Sequence, residues 1–143
     1  MKIVVLDGQT LNPGDLSWDD LAGLGELKVY ERTPPELVKE RCVGAEVIIT
    51  NKALVTRETL AELPAIRYVG VTATGYNVVD LPFCLEKGIT VTNVPSYSTN
   101  SVAQAVFAHV LRFTHRVEEH ARSVREGKWS NPPDFSYWID SIE

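Results

Sequence analysis

The 143-residue sequence contains only two cysteines, no block of basic residues and no long hydrophobic run. Cys42 and Cys84 form no Cys-x-x-Cys pair and have no neighbouring His, so we expect buried, reduced thiols rather than a disulfide. A net charge of −5 without clustered Lys and Arg argues against nucleic acid as a partner. No apolar run approaches the roughly 20 residues of a membrane-spanning helix, and the first residues lack a signal-peptide pattern. We therefore expect a cytoplasmic protein that binds neither nucleic acid nor a membrane.

The sequence also lacks a complete phosphate-binding motif. The spacing from Gly70 to Gly75 matches a P-loop, but Tyr76 and Asn77 stand where that motif requires Lys and Ser or Thr. No Gly-x-Gly-x-x-Gly dinucleotide fingerprint occurs anywhere in the chain. A nucleotide cofactor is therefore not expected to bind to this chain by itself.

Metal ligands are not indicated either. The histidines His109, His115 and His120 are six and five residues apart, which places no pair of ligands at adjacent positions of one helix face. Asp7 follows the first apolar run and precedes Gly8, a pair that we interpret as a turn. No metal site and no catalytic residue is predicted in the chain.

Short β-branched runs alternate with helical patterns along the first 98 residues, at intervals of about 20 residues. The predicted strands cover residues 2–6, 27–30, 46–50, 66–71 and 89–92. Such alternation is typical of right-handed βαβ crossovers and of a parallel sheet with helices on both faces. The sequence therefore predicts an α/β domain with a flavodoxin-like, five-stranded parallel sheet in the order 2-1-3-4-5.

A different pattern begins after Ser98. Residues 99–126 contain no Gly or Pro, which predicts one long helix that ends at Gly127. The first half of this helix, VAQAVFAHVL, is apolar on nearly all sides and is expected to be buried. An extended arm follows with four aromatic residues, Trp129, Phe135, Tyr137 and Trp138. We accordingly divide the chain into a domain at 1–98 and a helix with an arm at 99–143.

Two loops at the carboxyl ends of predicted strands carry residues suited to a small anion. Asn51 and Lys52 end the third strand, and the small residues 72–75 end the fourth. Ligands of open α/β sheets bind at this edge, where backbone N–H groups and one cation suit a carboxylate. An ordinary tight turn beside a solvated lysine is the alternative interpretation.

The segment ATGYNVVDLPFCLEKGITVTNVPSYSTNSVAQAVFAHVLRFTHR, residues 73–116, resembles a known family. It is similar to the part of the D-2-hydroxyacid dehydrogenases that reads roughly Gly-x-Gly-x-Asp-x-x-Asp, Gly-Ile-x-Val-x-Asn-x-Pro and Ser-x-x-Val-Ala-Glu. The Asn51-Lys52 pair and the tail at 133–138 look most like the glycerate dehydrogenase, or hydroxypyruvate reductase, branch. Asn77 and Gln104 depart from the family, which often has Asp at the first position and usually has Glu at the second.

The resemblance implies a site for a substrate carboxylate and one border of a nicotinamide site. Backbone amides of Thr74 and Gly75 would bind the carboxylate, and Lys52 would add positive charge beside it. The implied substrate-binding residues are Asn51, Lys52, Ala73, Thr74 and Gly75. The implied cofactor-binding residues are Thr74, Pro95, Ser98 and Val102.

The resemblance further implies that the sequence is the front part of an enzyme that uses NAD or NADP. Such an enzyme would reduce a 2-oxo acid such as hydroxypyruvate to the D-2-hydroxy acid, here D-glycerate. The start of the family's NAD(P)-binding Rossmann domain would lie within 99–143, and its Gly-x-Gly-x-x-Gly motif would follow shortly after this chain. The catalytic Arg, Glu and His would come later still, so the chain alone is expected to be inactive. The helix and arm at 99–143 would form a homodimer. A free-standing flavodoxin-like binding or dimerisation module without catalysis is the alternative.

Overall fold

The alternation of short strands and short helices in the sequence determines the architecture of the first two thirds of the chain. The structure is a computed structural model, and it describes residues 1–136. Its contacts divide the chain into two compact units, Met1–Tyr97 and Ser98–Glu143. The first is an α/β unit, and the described part of the second is helical.

The first unit contains a parallel sheet of five strands within the described residues. The strands are β1 (Lys2–Val5), β2 (Glu26–Val29), β3 (Val47–Thr50), β4 (Tyr68–Val71) and β5 (Thr90–Thr92). Their spatial order is β2-β1-β3-β4-β5, and every neighbouring pair is parallel. The predicted flavodoxin-like α/β fold is therefore confirmed, with four of the strands slightly shorter than predicted and β2 shifted by one residue.

Short helices connect these strands. They are α1 (Asp19–Ala22), α2 (Val38–Arg41), α3 (Arg57–Ala61) and α4 (Leu81–Lys87), with single 3-10 turns at Gly8–Thr10 and Pro35–Leu37. The helix ends have local causes, since the Thr56 hydroxyl accepts the Thr59 N–H at 3.3 Å and the Asp80 carboxylate accepts the Phe83 N–H at 2.8 Å. Gly88 ends α4 with a φ of 67°, a left-handed conformation that favours glycine.

The central strand β1 is buried on both of its faces, whereas the edge strands β2 and β5 contain no buried residue. The successive residues 3–6 of β1 and its continuation are each at most 1% exposed. Because neighbouring residues of a strand point to opposite faces, this burial requires cover on both sides of the sheet. Cys42 and Cys84 belong to the core of this unit. Both are buried, free thiols, as predicted.

The second unit begins with two helices in place of the single helix that the sequence predicts. Helix α5 spans Thr99–His115 and helix α6 spans Val117–Arg125. Arg116 between them has a φ of 47°, the left-handed conformation that ends many helices. The Arg116 N–H closes α5 by donating to the Arg112 carbonyl at 3.0 Å, and the Arg116 carbonyl accepts the Glu119 N–H of α6 at 3.0 Å. The prediction of one continuous helix is therefore wrong.

Two ion pairs flank this break. They help to explain why the helix is interrupted although residues 99–126 contain neither Gly nor Pro. The guanidinium of Arg116 pairs with Glu119, and Arg112 Nη2 lies 2.7 Å from Glu118 Oε2. Such exposed pairs contribute only a few tenths of a kcal/mol each, so together they offset part of the penalty of about 1 kcal/mol for a residue other than glycine in the left-handed region. Gly127 follows α6 with a φ of 82° and donates its N–H to the Val124 carbonyl at 3.0 Å, as expected for the predicted helix end.

Helix α5 is exposed along its whole length. None of its residues, all of which the structure describes, is buried. Four of its apolar side chains repeat at intervals of four, four and three residues and form what we name the apolar face of α5; they are Val102, Val106, Val110 and Phe113, and they are 51–69% exposed. The expectation that the first half is buried is wrong for the chain by itself, because the described part of its unit adds only the nine-residue α6 and a short tail.

The described part of the arm holds one aromatic contact. The rings of Trp129 and Phe135 lie 6.1 Å apart, tilted by 40°, and both side chains are about half exposed. Tyr137 and Trp138, which the sequence places in the same arm, lie outside the described residues. Among the helices of residues 1–136, none combines the length and the apolar content needed to cross a bilayer.

Candidate functional site

The carboxyl ends of four neighbouring strands define one edge of the sheet. Because β1, β3, β4 and β5 are parallel and adjacent, the loops that follow them are next to one another in space. In this strand order the chain reverses its winding direction between β1 and β3, and ligands of open α/β sheets bind at such a point. The predicted residues Asn51, Lys52 and 73–75 all lie in loops along this edge.

Asp7 occupies the point between β1 and β3. Its side chain is buried, with only 5% exposure. Its carboxylate accepts the Asn51 N–H at 2.8 and 3.0 Å and the Ala53 N–H at 2.9 Å, and it also accepts the N–H of Lys52. The interpretation of Asp7 as simple turn chemistry is therefore incomplete, since the side chain orders a loop that is 44 residues away in the sequence.

The loop after β3 is also held from its other side. The hydroxyl of Thr50, which is fully buried, donates to the Ala53 carbonyl at 2.8 Å. The backbone N–H groups of residues 51–53 therefore bind the Asp7 carboxylate, while the carbonyl of Ala53 binds the hydroxyl of Thr50 at the end of β3. The backbone on both sides of Lys52 is fixed by these contacts.

The side chains of this loop differ in their surroundings. Lys52 is exposed, and no Asp or Glu of the described residues forms an ion pair with its ammonium group. Among the same residues, the Oδ1 of Asn51 is buried and has no hydrogen-bond partner. The structure thus leaves the cation of Lys52 available to an anion, and it encloses the amide oxygen of Asn51.

The loop after β4 is tied to both neighbouring strands. Thr72 donates its N–H to the Thr50 carbonyl at 2.9 Å, and the Thr74 hydroxyl donates to the Val94 carbonyl at 3.1 Å. The Asn93 side-chain amide donates to the Thr74 carbonyl at 2.8 Å, and the Val94 N–H donates to the Ala73 carbonyl at 3.1 Å. These contacts direct the carbonyl groups of Ala73 and Thr74 towards the segment after β5.

The N–H groups of this loop differ from its carbonyl groups in their hydrogen bonding. No described residue accepts a hydrogen bond from the N–H of Ala73, Thr74 or Gly75, and the last two residues are exposed. Gly75 does not have a left-handed φ, and a Cβ placed on it would meet only the Asn77 Oδ1, at 3.3 Å. A tight turn therefore does not account for glycine at this position, whereas close approach of a ligand would.

The loops after β3 and β4 are joined to each other. Val55 donates its N–H to the Val78 carbonyl at 2.8 Å and accepts the Asp80 N–H at 3.2 Å, which forms a short parallel bridge around Val79. These bonds connect the segment that follows the Lys52 loop to the segment that follows the 73–75 loop. Backbone N–H groups and one ammonium group at this edge can bind a small carboxylate.

The predicted cofactor-binding residues divide between the two units. Thr74 and Pro95 lie in the first unit, where Pro95 follows directly after the Val94 that contacts Thr74. Ser98 and Val102 lie in the second unit, where the Val102 N–H donates to the Ser98 carbonyl at 2.9 Å in the first turn of α5. The role of these four residues stays a prediction.

Other reactive side chains do not gather into a site. Among residues 1–136, no group of three His, Cys, Asp or Glu side chains is arranged to hold a metal ion. Burial raises the pKa of the Cys42 thiol to about 11, and burial likewise raises the pKa of Cys84. A thiol with a raised pKa holds its proton near neutrality and is a poor nucleophile.

Asp7 is the residue at this edge whose contacts were missed by reasoning from the sequence. The signal was present, because Asp7 follows four successive apolar residues, 3–6, and such a run is typical of a strand that is buried on both faces. A carboxylate at the end of such a strand needs donors, and the pattern of the chain does not show which segment supplies them.

Comparisons of the sequence with known proteins find one matching family and several similar proteins. The family described as D-isomer specific 2-hydroxyacid dehydrogenase, catalytic domain, matches residues 4–131. A hydroxypyruvate reductase from Blautia hydrogenotrophica is 50% identical over 141 residues, which cover 96% of this chain and 44% of that protein. A glycerate dehydrogenase from Methylorubrum extorquens is 35% identical over 138 residues, which cover 96% of this chain and 43% of that protein.

Solved structures show the same fold. The crystal structure of a D-lactate dehydrogenase from Aquifex aeolicus, complexed with NAD and lactic acid, has a TM-score of 0.67 and 24% identity. The match covers 96% of this chain and 41% of that one. The chain therefore spans less than half the length of the relatives it matches.

Proposed function

Because the chain belongs to the D-isomer specific 2-hydroxyacid dehydrogenase family, we propose that it is the substrate-binding part of an oxidoreductase that uses NAD or NADP. The whole enzyme reduces a 2-oxo acid such as hydroxypyruvate to the D-2-hydroxy acid, D-glycerate in that case. The names of the two relatives above, a hydroxypyruvate reductase and a glycerate dehydrogenase, support this choice of substrate class.

The observation that carries the proposal is the set of unused donors at the carboxyl edge of the sheet. The N–H groups of 73–75 have no acceptor among the described residues, and Lys52 forms no ion pair there. A carboxylate of a small acid satisfies both, because it accepts several N–H bonds and gains from a nearby cation. The glycine at position 75 lets the ligand approach the backbone closely.

The residues present fit one border of a nicotinamide site and not a complete one. Thr74 has its hydroxyl and carbonyl engaged by Val94 and Asn93, which holds its backbone in one orientation with the N–H unused. Thr74, Pro95, Ser98 and Val102 would contact the nicotinamide side of the cofactor. The pyrophosphate would be bound elsewhere, because the 143 residues contain no dinucleotide fingerprint. When bound, the reduced cofactor supplies a hydride to the carbonyl carbon of the 2-oxo acid.

The contribution of this chain to the reaction is therefore binding and orientation. Fixing the substrate carboxylate on the 73–75 amides and Lys52 sets the position of the adjacent carbonyl group. Reduction also needs a proton at the carbonyl oxygen, which a general acid of the family, a His outside this chain, would donate. Without that group and without a phosphate-binding motif, the chain alone is inactive.

The second unit supplies the proposed dimer interface. Beyond Val102, which would border the nicotinamide, the apolar face of α5 is exposed and could contact a partner, and exposed apolar patches of this kind are uncommon on monomers. Trp129 and Phe135 in the arm add aromatic side chains, which interfaces favour. The enzyme would be a homodimer through residues 99–143, located in the cytoplasm, with no nucleic-acid or membrane partner.

The experiment uses the reading frame that encodes this chain together with whatever follows it. Purified full-length protein is expected to oxidise NADH or NADPH in the presence of hydroxypyruvate, whereas the 143-residue chain is not. Activity of the pure chain would refute the assignment of the catalytic groups to another segment. A full-length protein with no Gly-x-Gly-x-x-Gly motif and no reductase activity would favour the alternative, a free-standing binding or dimerisation module.

A further inference from the structure

The buried carboxylate of Asp7 has no partner of opposite charge. No Lys or Arg of the described residues forms an ion pair with it, although it is only 5% exposed. Its partners are three consecutive backbone N–H groups, from Asn51, Lys52 and Ala53. Successive amides that converge on one anion form a concave anion-binding loop, and here the anion belongs to the protein itself.

Asp7 is itself firmly anchored. Its carbonyl accepts the Thr10 N–H at 3.0 Å and the Thr10 hydroxyl at 2.7 Å, and the N–H of Gly8 donates to the Tyr30 carbonyl at 2.8 Å. The carboxylate therefore projects from a fixed backbone into the gap between β1 and β3. Any movement of the Asn51–Ala53 loop would break hydrogen bonds to a charged group, which are stronger than those to a neutral group.

The geometry separates the two functions of this loop. Its backbone amides are used by Asp7 and are not available to a ligand, whereas the ammonium group of Lys52 is exposed and unpaired among the described residues. Within residues 1–136, the Asp7 carboxylate forms hydrogen bonds only to the backbone of this loop, so it holds the loop without forming an ion pair with Lys52.

We propose that Asp7 is a positioning residue, which fixes the Asn51–Ala53 loop and thereby sets where the Lys52 ammonium meets the substrate carboxylate. This inference rests on the proposed function of Lys52. It predicts that the effect of Asp7 on substrate binding passes through Lys52, so that the two residues are energetically coupled although their side chains form no ion pair.

The test is a double-mutant cycle in the full-length enzyme with hydroxypyruvate as substrate. Asp7→Asn keeps the shape of the side chain but turns one acceptor into a donor that faces the loop amides. We expect Asp7→Asn to raise KM about tenfold with a change in kcat of about twofold or less, as for loss of an interaction shared by ground and transition states. In a Lys52→Ala background, the same substitution should change KM by less than about twofold.

Glu46→Gln is the matched control. Glu46 is also a carboxylate that accepts a backbone N–H, from Lys2, and its Oε1 lies 3.8 Å from the Met1 amino group, but it precedes β3 and so lies at the opposite end of that strand from the Asn51–Ala53 loop. It should leave KM unchanged in both backgrounds. Amide hydrogen exchange gives a second readout, because Asp7→Asn should accelerate exchange at Asn51, Lys52 and Ala53 more than Glu46→Gln does.

Each outcome has a separate meaning. An equal rise of KM with and without Lys52 would overturn the positioning role and leave Asp7 as a purely structural residue. An unchanged KM for Asp7→Asn would do the same. If Asp7→Asn does not fold, Thr50→Val, which removes the hydroxyl bond to Ala53, decides the question through the same cycle, with the same coupling expected. Wild-type enzyme that reduces no 2-oxo acid would instead refute the proposed function, and this inference with it.

Discussion

Substitution of Val106 by Asp tests whether the apolar face of α5 is a dimer interface. Val106 lies in the middle of this face and is 57% exposed in the single chain. Full burial of a valine side chain is worth about 1.5 kcal/mol, so covering the exposed part is worth about 1 kcal/mol. In a two-fold symmetric dimer each substitution occurs twice, and the lost burial is therefore about 2 kcal/mol.

The charge of the new aspartate adds to this loss. Burying a carboxylate without a partner costs at least about 1 to 2 kcal/mol in each protomer. The total of about 4 kcal/mol corresponds to a dissociation constant about a thousandfold higher. We expect wild-type chain to form a dimer at micromolar concentration and the Val106→Asp chain to be a monomer.

Light scattering and sedimentation equilibrium measure this directly, against a chain mass of 15.9 kDa. Ser101→Asp is the control, because it adds the same charge to α5 at a position about 140° around the helix from Val106. The control should remain a dimer. A wild-type chain that is monomeric at micromolar concentration would refute the interface, and so would a Val106→Asp chain that dimerises as tightly as the wild type.

Three further predictions concern the site and the core. In the full-length enzyme, Lys52→Ala should raise KM for hydroxypyruvate about tenfold with little change in kcat. As a control, Lys39→Ala at another exposed lysine should change neither KM nor kcat. An unchanged KM for Lys52→Ala would place the lysine outside the site. Gly75→Val should reduce substrate affinity more than Lys52→Ala does. The free energy of unfolding should fall by less than about 1 kcal/mol, measured by thermal unfolding, because the added Cβ meets only Asn77. Normal substrate affinity would show that the loop is only a turn. Burial raises the Cys42 pKa from 9.0 to about 11, so the stability this thiol contributes is complete below pH 9 and is lost as the pH rises to about 11, by up to about 2 to 3 kcal/mol. Urea unfolding of wild type and Cys42→Ala across that range measures the difference, and parallel pH profiles would contradict the raised pKa.

The parallel sheet and its helix ends could be predicted because their causes are local. Short β-branched runs, the caps at Thr56 and Asp80, and the glycine at position 88 each act within one helical turn or one strand. The edge at which Lys52 and 73–75 meet also followed from the pattern, since parallel strands place all their carboxyl ends at the same side. The position of these loops at the carboxyl edge was therefore predictable, whereas their role in substrate binding stays a prediction.

The break at Arg116 and the exposure of α5 could not be predicted in the same way. The left-handed backbone conformation of Arg116 differs from the right-handed helical one by about 1 kcal/mol, and no Gly or Pro marks this position in the sequence. The apolar pattern of α5 requires a covering surface, but a pattern does not say whether that surface belongs to the same chain.

What the sequence determined by itself is therefore the α/β class, the strand order and the position of the loops that we propose to hold an anion, because hydrophobic periodicity and turn chemistry are properties of short segments. What only the tertiary structure decided is the partner of each buried polar group. Asp7 meets the amides of Asn51, Lys52 and Ala53 because β1 and β3 are neighbours in the sheet. A buried carboxylate must find donors, and the three-dimensional neighbourhood selects which ones it finds.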